Sequence, residues 1–179
     1  VKKLRSQAAH HVKTADWLAE HFHTALSGAR LTLRVANGAR RLLGAPRLGR
    51  ISRALSSASQ GRLPQWTPAM PQPLQAVQFS PASVDARPRV VYLAACVSRV
   101  MGPAAGDREQ TSLLDKTRGL LEKAGYQVVF PDNPDSLCCG QPFASKGYPE
   151  QAEHKRQELI NALLHASRGG LDPIYCDTS

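Results

Sequence analysis

The chain has 179 residues, 42% of them hydrophobic, a formal net charge of +9, and four cysteines. That length accommodates one ordinary domain, or a smaller domain with an appendage, and the apolar share is enough for a buried core. No apolar run approaches the ~18–20 residues that cross a membrane, and no signal peptide is visible, which speaks against an integral membrane helix and against secretion.

The charge is unevenly spread. Residues 1–62 carry twelve Lys and Arg against Asp16 and Glu20, whereas residues 63–179 carry eleven against twelve acids. Such asymmetry points to an anionic membrane surface, an acidic partner or nucleic acid. No aromatic-interleaved basic pattern or recognition motif accompanies it, so nucleic acid is not an expected partner. The first residue is Val, and the sequence reads as a piece of a longer polypeptide.

Taken in order, residues 1–55 read as a basic helical region. Val1, Leu4, Ala8 and Val12 fall near one face. Thr14 or Asp16 is a candidate cap for a helix carrying Trp17, Leu18, Phe22, Leu26 and Ala29. The pattern runs on through Leu33, Leu42 and Leu43 to Gly44, either as one helix or as two broken at Ser27-Gly28. Arg30, Arg34, Arg40, Arg41, Arg47, Arg50 and Arg53 are interleaved with these apolar positions. This is a solvated Arg-rich face or one that meets anionic lipid or an acidic protein. His10, His11, His21 and His23 sit at offsets that separate them around a helix, so they make a poor metal set.

Residues 56–88 are punctuated by Pro64, Pro68, Pro71, Pro73, Pro81 and Pro88, and read as an extended connector that Trp66 and Met70 pin to a neighbouring surface. From residue 89 the pattern becomes regular. Residues 89–95 form a continuous apolar run suited to a buried strand. Residues 108–124 have helical spacing, residues 126–130 a second strand, residues 149–167 a second helix, and residues 172–175 lead into Cys176 as a third short strand. Alternation of this kind predicts an α/β fold with a short parallel sheet, preceded by the helical region.

That topology places the thiols. Cys96 follows the first strand, Cys138 and Cys139 lie in the loop after the second, and Cys176 ends the third. All are then at the carboxyl edge of the sheet, where open α/β sheets bind ligands. Four cysteines without secretory features suit a reducing, cytoplasmic setting, where clustered thiols serve as metal ligands or redox groups. Paired zinc knuckles are absent from the spacing. Spacing alone leaves open an iron–sulfur centre, a zinc ion, a redox-active Cys138-Cys139 dithiol and inert buried cysteines.

The string Cys96, Leu137-Cys138-Cys139-Gly140-Gln141-Pro142 and Tyr175-Cys176-Asp177 resembles the cysteine-rich CCG domain of heterodisulfide reductase, the glycolate oxidase iron–sulfur subunit and large FAD-linked D-lactate dehydrogenases. CGQPFASKGY and IYCDTS look most like the last group. The resemblance is specific across residues 88–179 and weaker across 1–60, where Val1-Lys2-Lys3-Leu4-Arg5 looks like the stretch after a ferredoxin-like domain. It implies a three-layer Rossmann-like CCG domain over residues 89–179, truncated at its C-terminus. It implies an iron–sulfur cluster, of 4Fe-4S type, on Cys96, Cys138, Cys139 and Cys176. The family places one more cysteine a few residues beyond Cys176, and the chain ends at Ser179, which puts a complete cluster in this fragment in doubt.

The resemblance further implies FAD-binding and ferredoxin-like domains in the same parent chain, and electrons passing from a D-lactate-like 2-hydroxyacid through flavin to a quinone or cytochrome. No substrate-oxidising residue is expected within these 179 residues, so the fragment alone is not expected to be active. Gly140 would let the backbone approach the cluster, the N–H groups of Gly140 and Gln141 would donate to its sulfurs, and Lys146 is a candidate counter-charge. The runner-up expectations are a non-catalytic docking module, whose basic helices meet a partner or the inner face of a membrane and whose thiols are structural or bind zinc, and a thiol–disulfide redox module using Cys138-Cys139.

Overall fold

The computed structural model describes residues 12–63, 65–75 and 86–177. The expected helical end over residues 1–11, His10 and His11 lie outside the described residues.

The basic region is helical, in three pieces: α1 (Val12–Glu20), α2 (Phe22–Leu43) and α3 (Ala45–Ala58). The break falls at His21 and not at Ser27-Gly28. The His21 ring stacks on Trp17 at 5.0 Å and hydrogen-bonds the Trp17 carbonyl at 3.1 Å, so the chain turns there. Gly28 continues the helix because the face beside it is anchored: Leu26, Arg30 and Leu33 are all buried. Gly44, at φ 76°, separates α2 from α3, and Pro46 sits in the first turn of α3, where its missing N–H costs nothing.

The proline-rich stretch is not wholly a connector. Pro71–Pro73 forms β1, which pairs antiparallel with β3 (Met101–Ala104). Proline suits such an edge strand, because the bond it cannot donate faces outward. Met70, just before, packs on the core, as expected of a pinning residue.

The parallel sheet is present. β2 (Arg89–Leu93) lies between β4 (Gln127–Val129) and β5 (Ile174–Cys176) and runs parallel to both. The register pairs Val91 with both Val129 and Ile174, and Leu93 with Cys176. Central placement explains the uninterrupted apolar run: Val90, Val91 and Tyr92 are all buried. The linking helices are α5 (Leu113–Lys123), whose Ser112 cap accepts the Asp115 N–H at 3.1 Å, and α7 (Pro149–Ala166). Two further short helices flank the loops: α4 (Cys96–Val100) and α6 (Gln141–Lys146).

Two apolar clusters hold this together. Tyr92, Ala94 and Leu114 pack with Leu121, Val128 and Phe130, between sheet and α5. Ala15, Ala19, Phe22, Leu26 and Leu33 of the basic helices pack with Val100, Cys138 and Phe143. The helical region therefore shares a core with the cysteine loop. The chain is a mixed α/β protein with short sheets.

Candidate functional site: a thiol rim on the sheet

Two of the four cysteines stand at or just past the carboxyl end of a strand, and the vicinal pair lies further along the loop that follows β4. Cys96 opens α4 three residues after β2, Cys138 and Cys139 lie in the loop between β4 and α6, and Cys176 ends β5. All four are free thiols. Their exposures differ: Cys138 is buried, Cys96 half-buried, and Cys139 and Cys176 exposed.

Cys138 and Cys96 belong to one apolar cluster. Burial pushes the Cys138 thiol up to about 11, with Cys139 and Cys96 adding to the rise. The Gly140 N–H, 3.4 Å from Cys138 Sγ, and the cation of Lys155 oppose it. The Cys176 thiol is raised by burial and then by the adjacent Asp177. Cys176 lies one strand across from Cys96, beside its own carboxylate.

Asp177 ties that strand to the rim. It accepts the Ala95 N–H at 2.7 Å and the Tyr92 hydroxyl at 3.0 Å, clamping the residue after Cys176 to the residue before Cys96. Burial, chiefly, pushes the Tyr92 phenol well above its ordinary range, so it remains a donor.

Gly140 is positioned by geometry that no other residue satisfies. Its φ is 78°, and a Cβ there would stand 2.3 Å from the Ala152 carbonyl oxygen. The cysteine loop is thereby pressed against α7. Gln141 is exposed at the first turn of α6. Lys146 is also exposed and lines an apolar cleft of about 270 Å³ with Leu18, Phe22, Phe143 and Tyr148.

The strongest charges near the thiols were not evident from the pattern. Arg30 of α2 makes a two-pronged pair with Asp135, at 2.7 and 2.9 Å, and also donates to the Arg99 carbonyl at 3.2 Å. Arg99 of α4 is 3% exposed and donates to the Leu137 carbonyl at 2.8 Å. Burial lowers the affinity of its guanidinium for the proton, while Asp135 and the thiols of Cys96 and Cys138 act the other way. Lys155, 2% exposed, is paired with Glu158 and lies over the Phe22 ring. The available signal was the offset of Arg99 from Cys96, three residues along one short helix.

Among the described residues, no three His, Cys, Asp or Glu side chains lie together as the ligand set of a metal ion. A polynuclear sulfur-bridged centre makes different demands, since its metals take thiolates from several directions and it carries net negative charge. The groups on offer here are the thiol of Cys176 opposite Leu93, the thiol of Cys138 with the Gly140 N–H on its sulfur, and the buried Arg99 guanidinium.

Comparison with known proteins gives one partial likeness. Lactate utilization protein A of Exiguobacterium sp. is 30% identical over 79 residues, 44% of this chain and 28% of that protein. The chain therefore spans under a third of the relative it matches. No family model matches, and no solved structure matches.

Proposed function

We propose that this chain is an electron-transfer module of a lactate-related oxidoreductase, holding an iron–sulfur cluster through Cys96, Cys138, Cys139 and Cys176. The observation that supports the reading is that Cys176 ends the strand paired with β2, Cys96 follows β2 by three residues, and Cys138 packs in one cluster with Cys96. The name of the partial relative, a lactate utilization protein, supports the lactate connection. The chemistry such a cluster supplies is one-electron transfer.

The chain's own residues do the holding. Gly140 keeps the vicinal pair against α7 and points its N–H at sulfur. Asp177 fixes the spacing between the Cys96 and Cys176 segments. Phe143 and Leu137 keep water from the inner side of the loop, and both are buried. The sheet and its helices form a three-layer, Rossmann-like CCG domain in this reading. FAD-binding and ferredoxin-like domains of the same parent chain would pass electrons in, and a quinone or cytochrome would receive them.

A stopped-flow experiment tests the reading. The chain, reconstituted anaerobically with iron and sulfide, should be bleached by photoreduced flavin and recover colour on mixing with a water-soluble quinone. A colourless chain, or one that flavin cannot reduce, contradicts it.

A second contact is favoured by a specific surface. On α2, Leu31, Val35 and Leu42 are exposed on the side away from Leu26 and Leu33, flanked by exposed Arg34 and Arg41. Ile51 and Leu55 continue the exposed apolar positions on α3. No acidic residue occurs between residues 21 and 84. An apolar stripe with arginine flanks suits peripheral contact with anionic lipid at the cytoplasmic face of a membrane.

A further inference from the structure

An apolar cleft of about 270 Å³ lies where the basic helices meet the cysteine loop. Its walls are carbon, from Leu18, Phe22 and Phe143, the two phenyl rings tilted at 53° with centroids 6.5 Å apart. Its polar side chains are Thr14, Lys146 and Tyr148, each able to donate a hydrogen bond, and among the described residues no carboxylate lines it. Clefts for drug-sized ligands run to roughly 300–1,000 Å³, so this one suits a molecule of one or two fused rings and is too small for a flavin or a nucleotide.

Its position narrows the occupant further. Phe143 shares an apolar cluster with Cys138, and its N–H bonds the Gly140 carbonyl at 3.1 Å, so one short loop supplies both a wall of the cleft and the vicinal thiols. Phe22 opens α2, the helix whose later turns carry the exposed Leu31, Val35 and Leu42 assigned above to lipid. A flat, lipid-soluble molecule that accepts hydrogen bonds and donates none matches the walls, the donors and the neighbours together. A quinone is such a molecule, since its carbonyls only accept and its ring is planar and apolar.

We propose that this cleft is the binding site of a quinone ring, seated on Phe22 and Phe143 with one carbonyl toward the Lys146 ammonium. The site deepens the function proposed above and takes from it only the source of electrons. Reduction there uses two electrons, one at a time from the reduced iron–sulfur centre, which is oxidised, and two protons from solvent at the exposed Lys146 rim, and it yields the quinol.

Saturation-transfer NMR on the metal-free full chain tests the site with duroquinone, whose fully methylated ring leaves no position for a thiol to add. Durene, the same ring without carbonyls, and decanoate, an acyl chain with a carboxylate, are the comparison ligands. Duroquinone should bind at least about threefold more tightly than durene, because only its carbonyls meet a charged donor. Lys146→Met keeps the stem, removes the donor and should erase that preference. Ala25→Leu, which fills the cleft, should weaken both rings at least about fivefold. Lys123→Met, at an exposed lysine of α5, should change neither. On the reconstituted chain, Ala25→Leu should slow reoxidation by duroquinone at least about threefold without changing the iron content.

No binding of duroquinone, equal binding of the two rings, tighter binding of decanoate, or an unchanged reoxidation rate overturns the proposal. Binding without iron removes the proposed function and leaves the quinone site; iron without binding does the reverse. If circular dichroism shows that Ala25→Leu does not fold, the exposed Lys146→Met decides.

Discussion

Replacing Gly140 with alanine probes the joint between the cysteine loop and α7. Two costs arise. The residue holds φ 78°, where an alanine is strained by about 1–2 kcal/mol. The new methyl would also meet the Ala152 oxygen at 2.3 Å, the carbon at 3.0 Å and the Cα at 3.1 Å. These are backbone atoms of a helix and cannot swing aside, so the loop must shift, as in an overpacked core, at roughly 1–3 kcal/mol. The sum, roughly 2–5 kcal/mol, is a large part of the total stability of about 5–15 kcal/mol of an ordinary domain. Urea unfolding followed by circular dichroism measures it. Gly119→Ala, inside α5 with no atom within 4 Å of the new Cβ, is the control and should gain up to about 1 kcal/mol. A loss below about 1 kcal/mol for Gly140→Ala would refute the claim that α7 presses on the loop.

Three other outcomes follow from the same contacts. Asp135→Ala leaves the Arg30 and Arg99 guanidinium groups buried without their shared carboxylate, and should cost about 2–4 kcal/mol in urea unfolding, somewhat below a fully enclosed pair because Asp135 is 28% exposed. The Cys138 thiol, raised from 9.0 to about 11, is protonated in the folded chain over a range where the unfolded chain has lost the proton. Stability from this group is therefore complete below about pH 9 and declines towards pH 11, by up to about 2–3 kcal/mol. Cys138→Ala should flatten that part of the pH dependence, and equal slopes in the two proteins would contradict it. Sedimentation with vesicles containing anionic lipid should recover the chain at low salt and release it at high salt. Leu31→Ser, Val35→Ser and Leu42→Ser together should abolish the recovery, whereas pure phosphatidylcholine vesicles should bind neither protein.

The parallel sheet was legible because burial on both faces leaves a local mark. The run Val90-Val91-Tyr92-Leu93 has no polar interruption, and helical spacing on either side makes a crossover the only economical connection. That topology puts Cys96 and Cys176 by the ends of β2 and β5, whereas Cys138 and Cys139 lie well along the loop after β4. Pairing of Pro71–Pro73 with Met101–Ala104 was not legible, since an edge ladder between segments about thirty residues apart leaves no periodicity in either. The helix break at His21 depends on a ring stacked one turn back, which outweighed the weak intrinsic signal of Gly28. Least visible was the charge under the thiols. Arg30 and Asp135 are 105 residues apart, and nothing in the Arg-rich run distinguishes the arginine that meets Asp135 from the others. Such a residue is identified by its burial alone.

The central claim is that these thiols together hold a sulfur-bridged iron centre. Anaerobic reconstitution followed by iron and acid-labile sulfide analysis tests it most directly, with EPR of the reduced sample, on wild type and on Cys96→Ser, Cys138→Ser, Cys139→Ser and Cys176→Ser. The account predicts iron and sulfide in comparable amounts and an EPR signal in wild type, with both reduced by every one of the four substitutions. Iron that binds without sulfide, or a cluster indifferent to Cys138 and Cys96, would contradict it.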